Sequence, residues 1–126
     1  FPFNSPATGM RSAQLADNYE KASGKVWNQQ IGATASLFDA AVATIRSAAD
    51  PKDRASLAQA MSRLKTETAV GEVDFTTGPV PNCATTGLVG VQWVRGANGK
   101  FSVNVVSNAD NPKVPLSAAM TPYKLG

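Results

Sequence analysis

A chain of 126 residues with 43% hydrophobic and 17% charged residues has the make-up of a folded globular protein, not a disordered one. Its formal net charge of +3 comes from scattered Lys and Arg, which argues against the clustered basic face of a nucleic-acid partner. No apolar run approaches the ~20 residues of a membrane-spanning helix. Histidine is absent and Cys83 is the single cysteine, so the commonest general base, the commonest metal ligand and an internal disulfide are all missing.

The first nine residues, with Pro2, Pro6 and Gly9, read as an extended, turn-rich lead. Thr8 is placed to cap a helix over 10–23, and Gly24 stands where a left-handed C-cap belongs. Leu15, Tyr19 and Ala22 form a narrow apolar stripe, the pattern of a surface helix. A short connector carries Trp27 as a packing anchor. The spacing then predicts a second helix over 33–49, with Ala33, Leu37, Phe38, Ala41, Val42 and Ile45 spread around nearly its whole circumference. Such a helix is normally sandwiched inside a layered fold.

Asp50 and Pro51 predict the start of a third helix over 51–65, with Leu57, Met61 and Leu64 as its buried stripe. The remainder is β-leaning. Val73 and Phe75 alternate with Glu72 and Asp74, which predicts a half-buried strand over 72–75. A strand over 88–94 carries apolar residues on both faces, which suggests burial on two sides, with Trp93 in the core. Asn98-Gly99 is a strong turn signal leading into a returning strand over 100–106. Residues 111–126, with three prolines, read as an irregular tail. Nothing in these elements wraps the second helix, and the chain begins at Phe1 with no Met or secretory leader. Together these features read as the back part of a larger α/β protein.

Few residues offer chemistry. Cys83 lies in a Pro/Gly-rich loop with no histidine to activate it, so it reads as a small structural side chain. Glu72 and Asp74 point to one face of a strand, more simply a solvated face than a metal or acid–base pair. The glycines match neither a phosphate loop nor a dinucleotide fingerprint. No catalytic residue, metal or cofactor is expected.

Binding has better candidates. Phe1 and Phe3 flank Pro2 ahead of the first helix, and a rigid aromatic wall suits a small organic solute. The alternative is that both rings plug the core. Gly32 and Ala33, at the expected start of the second helix, offer backbone N–H groups to an anion such as a carboxylate. Many helix starts bind only water or a cap.

The order of segments carries a resemblance. LADNYEKASGK is followed by a tryptophan, then by FDAAVATIRSAAD, DRASLAQAMSRLK, VGEVDFTTGPVPN and the hairpin LVGVQWVRGANGKFSVNVV. This succession resembles the later part of the periplasmic solute-binding proteins of ABC transporters, in the branched-chain amino acid (Leu/Ile/Val-binding) family. The resemblance spans essentially the whole chain and rests on order, not on one diagnostic motif.

It implies an α/β chain forming the C-terminal portion of a two-lobed type I periplasmic-binding fold and contributing to both lobes. It also implies a solute held between the lobes. The segments matching Phe1, Phe3 and residues 30–33 approach the ligand in the family. Relatives often carry Tyr or Phe near Ala33, so the small alanine implies a bulkier solute, an aromatic or aryl acid.

The function expected is that of a periplasmic solute-binding subunit of an ABC importer, not an enzyme. It captures an amino acid or aromatic acid by hinge closure. Its partners are the solute, a membrane permease and the remaining N-terminal part of the same protein. The rivals are a ligand-sensing domain of a receptor or regulator on the same scaffold, an independent interaction module, and an enzyme using Cys83.

Overall fold

A computed structural model of the chain describes residues 2–97, 99 and 101–122. Three helices and two small antiparallel sheets follow one another as α1 (Ser12–Ser23), α2 (Gln29–Ser47), α3 (Arg54–Ser62), β1 (Lys65–Thr68), β2 (Gly71–Asp74), β3 (Gly90–Arg95) and β4 (Phe101–Ser107). β1 pairs with β2, and β3 with β4. The chain divides into two compact units, residues 1–86 and 87–126. This is a mixed α/β arrangement.

In the first unit, α1 begins later than Thr8 foretold. Arg11 is held extended by a bridge to Asn4, and the Gln14 side-chain oxygen accepts from the Arg11 backbone N–H at 2.9 Å. Thr8 instead accepts from the Met10 N–H within its own turn. At the other end Gly24 takes φ 68°, and its N–H reaches the Glu20 carbonyl, the left-handed stop that glycine adopts without a Cβ penalty.

α2 starts four residues before the expected 33, because the Asn28 side chain caps it by accepting from the Ile31 N–H at 3.1 Å. Asn is among the strongest N-caps. α3 also starts late. Asp50 and Pro51 form a turn, with the Asp53 N–H bonded to the Asp50 carbonyl, and Asp53 takes the cap position by accepting from the Ser56 N–H at 2.9 Å.

The helix ends at Ser62, short of the expected 65. The next residues form β1, a strand that the helical reading of Leu64 and Lys65 obscured. β1 and β2 make a tight hairpin through Ala69 and Val70, with Thr68 opposite Gly71. Gly71 has φ 138°, and a Cβ there would meet the Thr86 hydroxyl at 3.1 Å and the Phe3 ring at 3.6 Å.

The largest departure concerns which face of α2 is inside. Gly32, Ser36, Asp39, Ala40 and Thr44 are buried, whereas Leu37, Phe38 and Ile45 are 71%, 67% and 52% exposed. Small side chains let the backbones of neighbouring segments approach closely, and the hydroxyls need no outside partner. Ser36 donates to the Gly32 carbonyl and Thr44 to the Ala40 carbonyl, each one turn back. The other buried residues of this unit are the small or hydroxyl-bearing Ser5, Ser12, Thr68, Ala69 and Gly71, together with the large apolar Phe3 and Leu64.

In the second unit, β3 and β4 put Val91 opposite Val105 and Trp93 opposite Val103 on one face, with Gln92 opposite Asn104 on the other. The two-sided burial expected for this strand is not found. Trp93 is 70% exposed, so its assignment to the core is corrected, and Val91, Val94, Phe101 and Val103 are exposed as well. Asn98, half of the expected turn, lies outside the described residues.

The tail contains no helix or strand among its described residues, yet it is tied down. Ser117 donates its N–H to the Val105 carbonyl and accepts from the Val105 N–H. Gln92 and Thr121 exchange two hydrogen bonds, at 2.7 and 2.9 Å. Val114, 2% exposed, is the buried apolar residue among the described residues of this unit.

Candidate functional site

The sequence candidates fall in different places. Phe1 lies outside the described residues. Phe3 is 3% exposed and packs beside Gly71, so of its two readings the structure shows the core plug, not an aromatic wall open to solute. Gly32 is buried, and Ala33 beside it is exposed.

The reason given for Gly32 needs correction. Because α2 begins at Gln29, Gly32 lies inside the first turn, and its N–H is already bonded to the Asn28 carbonyl at 3.2 Å. It offers no free donor to an anion. What Gly32 supplies is closeness. A Cβ there would stand 2.9 Å from Val70 Cγ1 and 3.3 Å from the Trp27 ring. Trp27, half-buried, is itself positioned by an edge-on contact with Tyr19, ring centroids 5.8 Å apart, and by its backbone N–H donating to the Glu20 carboxylate.

Phe3 and Gly32, 29 positions apart, therefore meet the neighbouring residues Gly71 and Val70 of a single turn. At its base is Asp39, fully buried on α2. One carboxylate oxygen accepts from the Ser5 hydroxyl at 2.5 Å and from the Ala7 N–H at 3.1 Å. The other accepts from the Ala69 N–H at 2.9 Å. A buried carboxylate is costly unless its oxygens are satisfied, and here three donors from two distant segments satisfy it. Ser12 completes the enclosure, its one hydroxyl proton shared between the Phe3 and Ala69 carbonyls. Sequence reasoning missed Asp39. The available signal was a lone acidic residue, between Phe38 and Ala40, in a helix whose other charged residue is Arg46 in the last turn.

Elsewhere the chemistry is that of a surface. Glu72 and Asp74 both pair with Lys65, at 3.7 and 3.3 Å. The Asp74 carboxyl is held below its usual range chiefly by hydrogen bonds from the Thr76 hydroxyl and N–H, with Lys65 adding to the effect. The Lys65 ammonium is raised, first by its hydrogen bond to Asp74 and then by the charges of Glu72 and Asp74. Among the described residues no group of three or more His, Cys, Asp or Glu side chains is placed to hold a metal.

Cys83 is exposed in the loop after β2. An open cleft of about 360 Å³ lies between the end of α2 and α3, lined by residues such as Ser47, Gln59 and Arg63; Phe3, Gly32 and Ala33 do not border it. No described helix is long and apolar enough to cross a membrane. Compared with known protein families, curated proteins and solved structures, the chain matches none.

Proposed function

We propose that this chain is part of a periplasmic solute receptor that serves an ABC importer, built on a two-lobed periplasmic-binding fold to whose lobes it contributes. The observation that carries the reading is the open face of α2. Leu37, Phe38 and Ile45 stand more than half exposed on one side of a helix whose opposite side is buried. Exposed apolar surface of this kind marks an interaction site. In a layered α/β fold it is the side that packs on a sheet, here supplied by the N-terminal part of the same protein. The order of the segments supports the same reading.

In this reading a small amino acid or an aromatic acid is captured between lobes that close about a hinge. The closed state is favoured only to the extent that the solute touches both sides. Ala33 is the exposed candidate for contact. Phe3 and Gly32 act from beneath, by fixing the Val70–Gly71 turn against α2. No bond is made or broken, and the loaded receptor is recognised by its membrane permease.

The test is thermal denaturation of the protein expressed from its whole reading frame, with a panel of amino acids and aromatic acids. A true solute at 100 times its Kd stabilises the native state by about 2.7 kcal/mol and raises Tm accordingly. A panel that leaves Tm unmoved counts against the receptor.

A further inference from the structure

Among the described residues Asp39 is the one buried charged side chain, and the proposed function leaves it without a task. Its partners are unusual in their distribution. Ser5 and Ala7 belong to a turn near the start of the chain, closed by the Gly9 N–H on the Ser5 carbonyl and the Ser5 N–H on the Met10 carbonyl. Ala69 belongs to the β1–β2 turn. Both turns hang on one carboxylate, which is itself held by the middle of α2.

The division of labour within the carboxylate matters. The oxygen that takes Ser5 and Ala7 is not the one that takes Ala69. If the Ser5 hydroxyl is lost, the Ala7 N–H alone holds that oxygen, and the carboxylate is aimed less firmly at Ala69. If Ala69 is lost, the first oxygen loses the restraint that aims it at the other turn. A carboxylate shared in this way between two turns can transmit the state of one turn to the other.

We propose that Asp39 is a coupling device, through which the Ser5–Thr8 turn and the Ala69–Val70 turn open together. The inference does not depend on the receptor reading and is tested on the chain without any solute.

The experiment is amide hydrogen exchange, followed by NMR, on the full chain and on Ser5→Ala and Asp39→Asn. The Phe75 N–H, bonded at 2.9 Å to the Leu64 carbonyl and not to Asp39, serves as internal reference. Ser5→Ala leaves the donor and the acceptor of the Ala69 bond chemically intact. Coupling nonetheless requires exchange at Ala69 to rise about fivefold relative to Phe75.

In Asp39→Asn the carboxamide keeps one acceptor oxygen for Ser5 and Ala7 and turns an NH2 toward Ala69. Coupling requires Ala7 to accelerate along with Ala69, although its own acceptor survives. An Ala69-to-Phe75 ratio unchanged by Ser5→Ala, or an Ala7 rate unchanged in Asp39→Asn, overturns the proposal.

Discussion

The two units solve the problem of a small interior in different ways. Residues 1–86 enclose a polar junction, in which the buried Ser5, Ser12, Asp39 and Thr68 are each hydrogen-bonded. Residues 87–126 have a two-stranded sheet and a tail, with one buried apolar side chain among the described residues, Val114, and large apolar residues left in solvent. An isolated two-stranded hairpin is marginal in water, and here the tail supplies the added restraint at Val105 and Gln92. The contrast shows that a segment gains definition from directional bonds where it lacks the apolar area to gain it from burial. Directional bonds are strong only while every partner is present.

Four substitutions sharpen this comparison. Asp39→Ala strands two backbone donors and a hydroxyl inside the first unit, and should lower the stability of that unit by about 3 kcal/mol in urea denaturation. A loss below about 1 kcal/mol would mean that the junction is not what holds residues 1–86 together.

Val114→Ala should cost about 2 kcal/mol, read as increased hydrogen exchange in β3 and β4. If the first unit loosens equally, the two units are not energetically separate.

Gly32→Ala sets helix propensity, which gains about 1 kcal/mol, against overpacking on Val70 and Trp27, which costs about 2 kcal/mol. The net expectation is a destabilisation of about 1 kcal/mol that Val70→Ala removes. A double-mutant cycle with no interaction between the two positions would show that the close approach is unimportant.

The smallest effect belongs to the Lys65 cluster on the surface of the first hairpin. The folded carboxyl of Asp74 is depressed. Its contribution is therefore present above the ordinary carboxylate range and is lost as pH falls through the depressed value. The Lys65 ammonium is raised, so its contribution is complete below the ordinary lysine range and disappears as pH rises through the raised value. Asp74→Asn should lower Tm slightly at neutral pH and leave it unchanged once pH is below the depressed value, which flattens the acid limb; an unaltered acid limb would refute the assignment.

Local signals in the sequence proved readable where a residue's effect depends on its own chain neighbours. Gly24 ends α1 because a left-handed residue is cheapest without a Cβ, and Val91 to Arg95 and Phe101 to Ser107 pair as the flanking turn suggested. Competing caps were less readable. Thr8 and Asp50 are sound caps in isolation, yet Arg11 and Asp53 take the position, because the Asn4 bridge and the Asp50 turn hold the earlier residues out of the helix. β1 escaped notice because Leu64 continues a helical stripe, and pairing with β2 is a contact that helical periodicity does not contain. Of the candidate site, the core plug was one of the two readings of Phe3, the close approach at Gly32 was not legible, and Asp39 was passed over.

The amino-acid sequence by itself determined the helices, the later hairpin and the absence of histidine chemistry, since propensity, capping and composition act over a few residues. Only the tertiary structure decided that α2 turns Asp39, Ser36 and Gly32 inward and Leu37, Phe38 and Ile45 outward. The physical reason is that a helix apolar on most sides has no preferred face of its own. Its orientation is chosen by what packs against it, and here the neighbours present backbone donors and close-approaching turns that a small, polar face can satisfy.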